Sequence, residues 1–274
     1  MNNLSASIRQ RYTYPLIILK QLVITDFKLR YKESFLGYVW TLLKPLALFA
    51  VMYVVFVHFL KFGADVPHFA VYLLLGTVLW NFFAETTTTG MSAIVGKGDL
   101  MRKLFFPRYI VVVAASMSAL INLAINLVVV TIFIVLNGVE LSPRALLIIP
   151  VIVELYVLAL SMAFFLGALC VKLRDVSYIW ELALQAGFYA TPIFYPLSMV
   201  VKASPLAAKL ILLNPMAQII QDARWAVISP STQTVWSHID RWYVQAIPLV
   251  IVISLLVLSV IYFKRQSPGF AENI

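Results

Sequence analysis

Long apolar runs separated by short polar segments divide this chain of 274 residues. A helix needs about 20 predominantly apolar residues to cross a bilayer, and six runs approach or exceed this length. These runs are Phe35–Leu60, His68–Val95, Tyr109–Asn137, Ala145–Val171, Val176–Tyr195 and Trp242–Phe263. The pattern predicts an all-α integral membrane protein with six transmembrane helices, which occupy residues 35–265.

The distribution of lysine and arginine predicts the orientation of these helices. Fourteen of the 21 basic residues fall on the side that holds both termini, six fall on the opposite side, and Lys44 lies within the first run. Because cytoplasmic segments of membrane proteins carry an excess of Lys and Arg, we expect both termini to be cytoplasmic. The cytoplasmic tails are then residues 1–34 and 266–274.

An amphipathic pattern precedes the first run. Residues 14–33 carry an apolar stripe at helical spacing, and the opposite face holds Lys28 and Lys32. The stripe consists of Leu16, Leu19, Val23, Phe27 and Tyr31. Helices of this kind lie in the membrane interface. We therefore expect an N-terminal interface helix, which either only anchors the chain or also contacts a partner protein.

A second irregular segment lies between the fifth and sixth runs. Within residues 196–216, two apolar pieces that are too short to span flank Ala203-Ser204-Pro205. This pattern predicts a re-entrant helical hairpin, whose backbone must be covered by protein or by a water-filled cavity. The alternative is an amphipathic loop on the outer surface.

The cytoplasmic loop "GKGDLMRKLFFPR", Gly96–Arg108, is the other informative connection. Asp99 is a suitable cap for a short helix over Leu100–Phe106. Such a helix would present apolar side chains flanked by Arg102 and Lys103, which suits docking into a cleft on another protein. The same sequence is also compatible with an ordinary basic turn.

The composition agrees with a membrane protein and narrows the chemistry. Charged residues make up 12% of the chain, at a mean hydropathy of +0.92, whereas soluble domains carry about 25% charged residues. The net charge of +9 is explained by cytoplasmic basic residues, so nucleic-acid binding is not predicted. The lone Cys170 gives no disulfide or zinc pattern. The three histidines stand alone, and neither a catalytic site nor a metal site is predicted.

Four ionisable residues fall inside the apolar runs, namely Lys44, Glu85, Glu154 and Glu181. A charge at the bilayer centre costs about 2.5–3.5 kcal/mol on insertion scales, so such side chains face protein or water. Lys44 either points toward a polar path near the cytoplasmic side or snorkels to the interface. In the second case Pro45 would be the first helical residue of the span.

The stretch "RYKESFLGYVWTLLKP" resembles the start of the membrane domain of bacterial ABC exporter permeases of the second type (ABC-2). The matching positions are Arg30, Tyr31, Ser34, Leu36, Gly37, Trp40 and Pro45. Three further pieces agree in their order along the chain: "LFFPR", "KLRDVSYIWEL", and "YATPIFYP" leading to "LNP". The branch that it most resembles contains the polysaccharide export permeases for O-antigen, capsule and teichoic acid.

This resemblance implies a transporter subunit without catalytic activity of its own. Two copies would form a homodimer in the bacterial inner membrane, and two copies of a separate ATPase subunit would bind ATP and Mg²⁺. The loop Gly96–Arg108 would be the main coupling helix, and the turn Lys172–Tyr178 would be a second contact. The implied coupling residues are Leu100, Arg102, Lys103, Leu104, Phe105, Arg174 and Asp175.

The resemblance also implies the cargo and its route. An undecaprenyl-type lipid-linked polysaccharide would pass between the two subunits, along the first and fifth spans, and the hairpin would close the outer end. Aromatic faces stack on sugars, and amides exchange hydrogen bonds with sugar hydroxyls. Sites of this kind bind each sugar and then release it, as conduction requires. Candidate lining residues are Trp40, Phe49, Tyr53, Phe56, Gln185, Phe188 and Tyr189, and candidate headgroup residues are Arg30, Lys32 and Lys44. Alternatively, the aromatics only pack or form interfacial belts, and the cargo is a small amphiphilic drug or lipid on a drier, narrower route.

Overall fold

The computed structural model describes residues 14–26, 28, 39–60, 66–103 and 106–270. This part of the chain contains helices and turns but no strand. Five helical segments in it are long and apolar enough to cross a membrane: Val39–Phe59, Phe69–Gly96, Tyr109–Leu136, Pro143–Cys170 and Ile247–Gly269. The prediction of an all-α membrane protein is therefore confirmed, while the number of spans stays a prediction.

The helices are numbered in chain order. Residues 14–26 form α1, and α2 (Val39–Tyr53) continues into a π-helical turn, Val54–Phe59. The others are α3 (Phe69–Gly96), α4 (Gly98–Lys103), α5 (Tyr109–Leu136), α6 (Ile148–Cys170, preceded by a 3₁₀ turn at Pro143–Leu147), α7 (Val176–Ala190), α8 (Leu197–Ala203), α9 (Pro205–Leu212), α10 (Pro215–Val227), α11 (Val235–His238), α12 (Trp242–Gln245) and α13 (Ile247–Gln266).

Two predicted spans differ from the helices that form. The fifth run becomes α7, which has 15 residues and is therefore about 22 Å long, short of the roughly 30 Å hydrocarbon core. It ends at Thr191, whose backbone is extended, because Pro192 and Pro196 follow and disfavour a helix. The sixth run starts later than predicted, at Ile247, with Pro248 in its first turn, a position that proline favours.

Helix α3 lies at the centre of the fold. It packs against α2, α5, α6, α7 and α10. Of its most apolar stretch of 18 residues, 78% is buried. Small residues allow the closest of these approaches, since a Cβ added at Gly90 would lie 2.6 Å from the Cβ of Ala163 on α6. Gly167 on α6 faces the Gly90 carbonyl in the same way. This small-residue contact is typical of membrane helix pairs.

Helix α1 packs where α3 ends and α5 begins. Ile18, Leu19 and Leu22 contact a buried cluster that includes Phe106, and the carboxylate of Asp26 pairs with Lys97 at the end of α3. The inward face is thus rotated from the predicted stripe. Of that stripe, Leu16 is exposed, Leu19 packs inward, and Phe27 and Tyr31 lie outside the described residues.

The predicted pair of short helices at residues 196–216 is present as α8 and α9. The chain breaks between them at Ser204, whose hydroxyl accepts a hydrogen bond from the Ala207 N–H at 3.3 Å, and Pro205 starts α9. Both helices pack against the segment around α11 through a cluster of Leu197, Ala208, Leu212, Val235 and Ile239. Insertion of this pair into the membrane stays a prediction.

Candidate transport site

A cavity of about 770 Å³ opens between α2, α3 and α5. Its apolar wall includes Trp40 and Phe82. Its polar lining consists of Thr41, Lys44, Asn81, Glu85, Thr89, Asn122 and Asn126. So many polar groups within helices of membrane-spanning length mark a wet site, because each of them is costly to place against lipid.

Hydrogen bonds join part of this lining into a network. The Asn122 side-chain N–H donates to Glu85 Oε1 at 2.7 Å. The Asn126 side-chain N–H donates to the backbone carbonyl of Asn122 at 2.8 Å and to the backbone carbonyl of Thr41 at 3.4 Å. Asn122 Oδ1 is buried and accepts no hydrogen bond from the described residues. A buried acceptor of this kind calls for a donor from water or from a bound molecule.

Helical spacing explains why these residues meet. Asn81, Glu85 and Thr89 are four residues apart on α3, and Asn122 and Asn126 are four residues apart on α5, so each set lies on one helix face. Among these five residues, only Glu85 stands out in the sequence, as a charge inside an apolar run. The four-residue spacing on each helix is visible in the sequence, but only the packing of α3 on α5 brings the two sets together.

Two predicted site residues, Trp40 and Lys44, line this cavity from α2. They are also four residues apart and so share a helix face. Lys44 is exposed, and its side chain forms no hydrogen bond or ion pair with any residue that the structure describes. The other two predicted headgroup residues, Arg30 and Lys32, lie outside the described residues.

The remaining predicted lining residues fall into two groups. Three of them pack against aromatic rings of the same chain. Phe49 is 7% exposed, and its ring meets that of Phe133 edge to face, with the centroids 5.5 Å apart. The ring centroids of Phe56 and Phe194 are 4.8 Å apart, and those of Phe188 and Trp80 are 6.0 Å apart. For Phe49 this burial leaves little ring surface for any shared channel. Tyr53, Gln185 and Tyr189 are exposed.

Helix α7 carries a polar and aromatic stripe on its exposed face. Tyr178, Glu181, Gln185 and Tyr189 are three or four residues apart and are all exposed. A carboxylate on the outer face of an apolar helix requires water or a polar partner next to it. This stripe, rather than the aromatic rings alone, is the feature of α7 that fits a polar path.

The predicted docking residues lie where α3 and α6 end. Helix α4 starts at Gly98, earlier than predicted, so Asp99 belongs to its first turn, where a carboxylate opposes the helix dipole. Arg102 and Lys103 are exposed, whereas Leu100 packs inward against the cluster around Phe106. The turn after α6 exposes Lys172, Leu173, Arg174 and Asp175, and Leu104 and Phe105 lie outside the described residues.

The sequence pattern does not reveal the role of Arg224, which is one of the six basic residues assigned to the side opposite the termini. Its side chain is fully buried and donates hydrogen bonds to the Tyr72 carbonyl at 3.1 Å, the Pro192 carbonyl at 2.5 Å and the Ile193 carbonyl at 2.6 Å. It also donates to Gln221 Oε1 at 3.0 Å. Arg224 thereby ties α10 to α3 and to the turn that follows α7.

The sequence model of the ABC-2 type transporter family matches residues 18–228. The chain is 28% identical over 214 residues to the O-antigen export system permease protein RfbA of Myxococcus xanthus, which covers 78% of this chain and 80% of the relative. It is 26% identical over 269 residues to the protein of the same name from Klebsiella pneumoniae, covering 97% and 99% respectively.

The matched region runs from α1 through α10 and so contains the polar cavity, the loop Gly96–Arg108 and the paired helices α8 and α9. It also contains the segments from which the resemblance was inferred. Because the match spans more than half of the sequence, this protein belongs to the ABC-2 type transporter family.

Proposed function

We propose that this chain is the transmembrane subunit of an ABC transporter that exports a lipid-linked polysaccharide of the O-antigen type across the bacterial inner membrane. The observation that carries this proposal is the match to an O-antigen export permease over 97% of this chain and 99% of the relative. End-to-end correspondence means that the two proteins share the whole membrane domain rather than one common segment.

The energy for transport comes from a separate ATPase subunit, which binds ATP and Mg²⁺. Two copies of this ATPase contact the cytoplasmic face of a permease homodimer. Exposed Arg102 and Lys103 on α4, and Arg174 and Asp175 after α6, supply charged contacts for it. Since α1 packs on the cluster that holds Leu100, movement of α4 is transmitted to the cytoplasmic ends of α3 and α5.

The polysaccharide passes between the two subunits. Both α2 and α7 have exposed faces in the single chain, and the polar stripe on α7 provides hydrogen-bonding groups along this path. In this topology the chain crosses the membrane six times, with α7 and its following turn as the fifth crossing. Both termini are cytoplasmic, and the pair of α8 and α9 closes the outer end of the path.

The cavity between α2, α3 and α5 contributes the recognition of the carrier. The exposed ammonium of Lys44 attracts the pyrophosphate of an undecaprenyl-type carrier, and the amides of Asn81, Asn122 and Asn126 exchange hydrogen bonds with sugar hydroxyls. This polar lining favours a glycan over the alternative cargo, a small amphiphilic drug, which requires a drier wall.

The test is reconstitution of the permease with its ATPase in proteoliposomes. Undecaprenyl-pyrophosphate-linked oligosaccharide should stimulate ATP hydrolysis, whereas the same oligosaccharide without the lipid should not. A fluorescent amphiphilic drug serves as the competing cargo. Stimulation by the drug and not by the lipid-linked sugar would reject the proposed cargo, and transport by the permease without the ATPase would reject the proposed mechanism.

A further inference from the structure

A second cavity, of about 400 Å³, lies between the start of α5, the end of α6 and the end of α13. Its apolar floor includes Phe164 and Phe263, whose rings meet edge to face at 5.1 Å. Its rim carries Arg108, Lys264 and the hydroxyl residue Ser267. The cavity therefore combines two cations with an aromatic base, at the end of the helices that carries the cytoplasmic loop.

Neither rim cation is neutralised by the part of the chain that the structure describes. The side chains of Arg108 and Lys264 form no hydrogen bond or ion pair with any residue in the described part of the structure. Arg108 is partly buried and Lys264 is exposed. Two unpaired cations beside one cavity attract an anion, and the aromatic floor favours a molecule that also has an apolar part.

The surface next to the cavity extends this apolar part along α13. Val260 lines the cavity, and Ile253, Val257 and Ile261 continue from it along one side of the helix. These three side chains are 53%, 51% and 45% exposed. A long hydrocarbon chain can lie along them while its headgroup occupies the rim.

We propose that this cavity binds an anionic phospholipid of the cytoplasmic leaflet, with its phosphate between Arg108 and Lys264 and an acyl chain along α13. Basic pockets between transmembrane helices on the cytoplasmic side bind such headgroups. The site is separate from the cavity between α2, α3 and α5. Because Arg108 is the last residue of the cytoplasmic loop, a bound lipid stabilises the position of the loop's end relative to α13.

The experiment measures binding of phosphatidylglycerol to the purified full-length chain in detergent by native mass spectrometry. Phosphatidylcholine with the same acyl chains and glycerol 3-phosphate are the comparison ligands. Each cation near an anionic headgroup contributes roughly fivefold, so the double variant Arg108→Gln/Lys264→Gln should bind phosphatidylglycerol about 25-fold more weakly. Arg102→Gln/Lys103→Gln removes the same charge from α4 and should leave binding unchanged.

A second variant tests the cavity without changing any charge. Val260→Trp fills the space beside Phe263 and should reduce phosphatidylglycerol binding while Arg108 and Lys264 remain. Equal loss in the two charge variants, or no loss in Val260→Trp, would overturn the proposal, since binding would then reflect general surface charge. Equal affinity for glycerol 3-phosphate would overturn it as well, because the site would take a free phosphate ester and not a lipid.

Discussion

Replacing Arg224 by methionine tests whether one buried cation holds α10 against α3 and the turn after α7. Methionine has a similar length but no donors, so the Pro192 and Ile193 carbonyls lose the N–H groups that they accept from. Gln221 Oε1 loses one of its two donors and keeps the hydrogen bond from the Tyr72 hydroxyl at 3.2 Å. Pro192 and Ile193 lie in a turn and receive no other hydrogen bond from the described residues. Each buried acceptor left unpaired costs about 1–3 kcal/mol, and relief of the guanidinium desolvation offsets part of the sum. We expect Arg224→Met to lower the free energy of unfolding by about 3–5 kcal/mol.

The assay can use the single cysteine of the chain. Cys170 is 7% exposed, so a thiol-reactive fluorescent dye labels it only on unfolding, and a thermal ramp in detergent gives the midpoint. A loss of this size should lower the midpoint by roughly 6–20 °C. The control, Arg241→Met, removes an exposed arginine between α11 and α12 and should change the midpoint little, since exposed substitutions stay within about 0.5 kcal/mol.

A double-mutant cycle makes the test specific. A Cβ at position 76 would lie 2.4 Å from Arg224 Nη2, so Gly76→Ala should displace the guanidinium and destabilise the protein. In the Arg224→Met background the same change should have a smaller effect, because the two residues are in contact. A midpoint for Arg224→Met equal to that of the unmutated protein, or strict additivity with Gly76→Ala, would refute the reasoning.

Three further predictions concern the cavity, the docking face and one buried acid. Lys44→Ala should abolish most stimulation of ATP hydrolysis by lipid-linked oligosaccharide while leaving complex assembly intact, and unchanged stimulation would remove Lys44 from the mechanism. Arg102→Glu/Lys103→Glu should reduce co-purification of the ATPase at least tenfold, and unchanged recovery would exclude α4 as the main contact. Burial raises the pKa of Asp222, in α10 and outside the five candidate spans, to about 6. The folded state therefore holds this proton more tightly than the unfolded state, and stability is lost as pH rises from about 4 to 6. Asp222→Asn should therefore stabilise the protein at pH 7.5 by about 1–2 kcal/mol and should have no such effect at pH 4. Denaturation by urea at the two pH values measures this difference, and a gain in stability that is the same at both would contradict the prediction.

The sequence predicts the helices best where local signals are strong. Hydropathy gives four of the long helices to within a few residues, and Pro205 marks the break between α8 and α9. It fails for α7, where apolar residues continue to Tyr195 while Pro192 and Pro196 prevent the helix from following them. Hydropathy measures the affinity of side chains for lipid. The end of a helix is decided by backbone conformation, which proline restricts whatever the hydropathy of its neighbours.

The site was predicted only in part, for a related reason. Lys44 and Trp40 stand out in the sequence because a charge and a large ring are unusual at the start of a span. The amides of Asn81, Asn122 and Asn126 come together through the packing of α3 on α5, which no short segment reveals. Arg224 is the extreme case, because its partners Tyr72 and Ile193 are far away in the sequence, so only the tertiary structure distinguishes a buried arginine from an exposed one.

The short length of α7 has a consequence for the surrounding lipid. A helix of 15 residues reaches about 22 Å, some 8 Å less than the average hydrocarbon thickness. Lipids beside an undersized helix compress, at a penalty of fractions of a kcal/mol per Å. A dimpled bilayer next to α7 would shorten the apolar distance that any hydrophilic cargo has to travel.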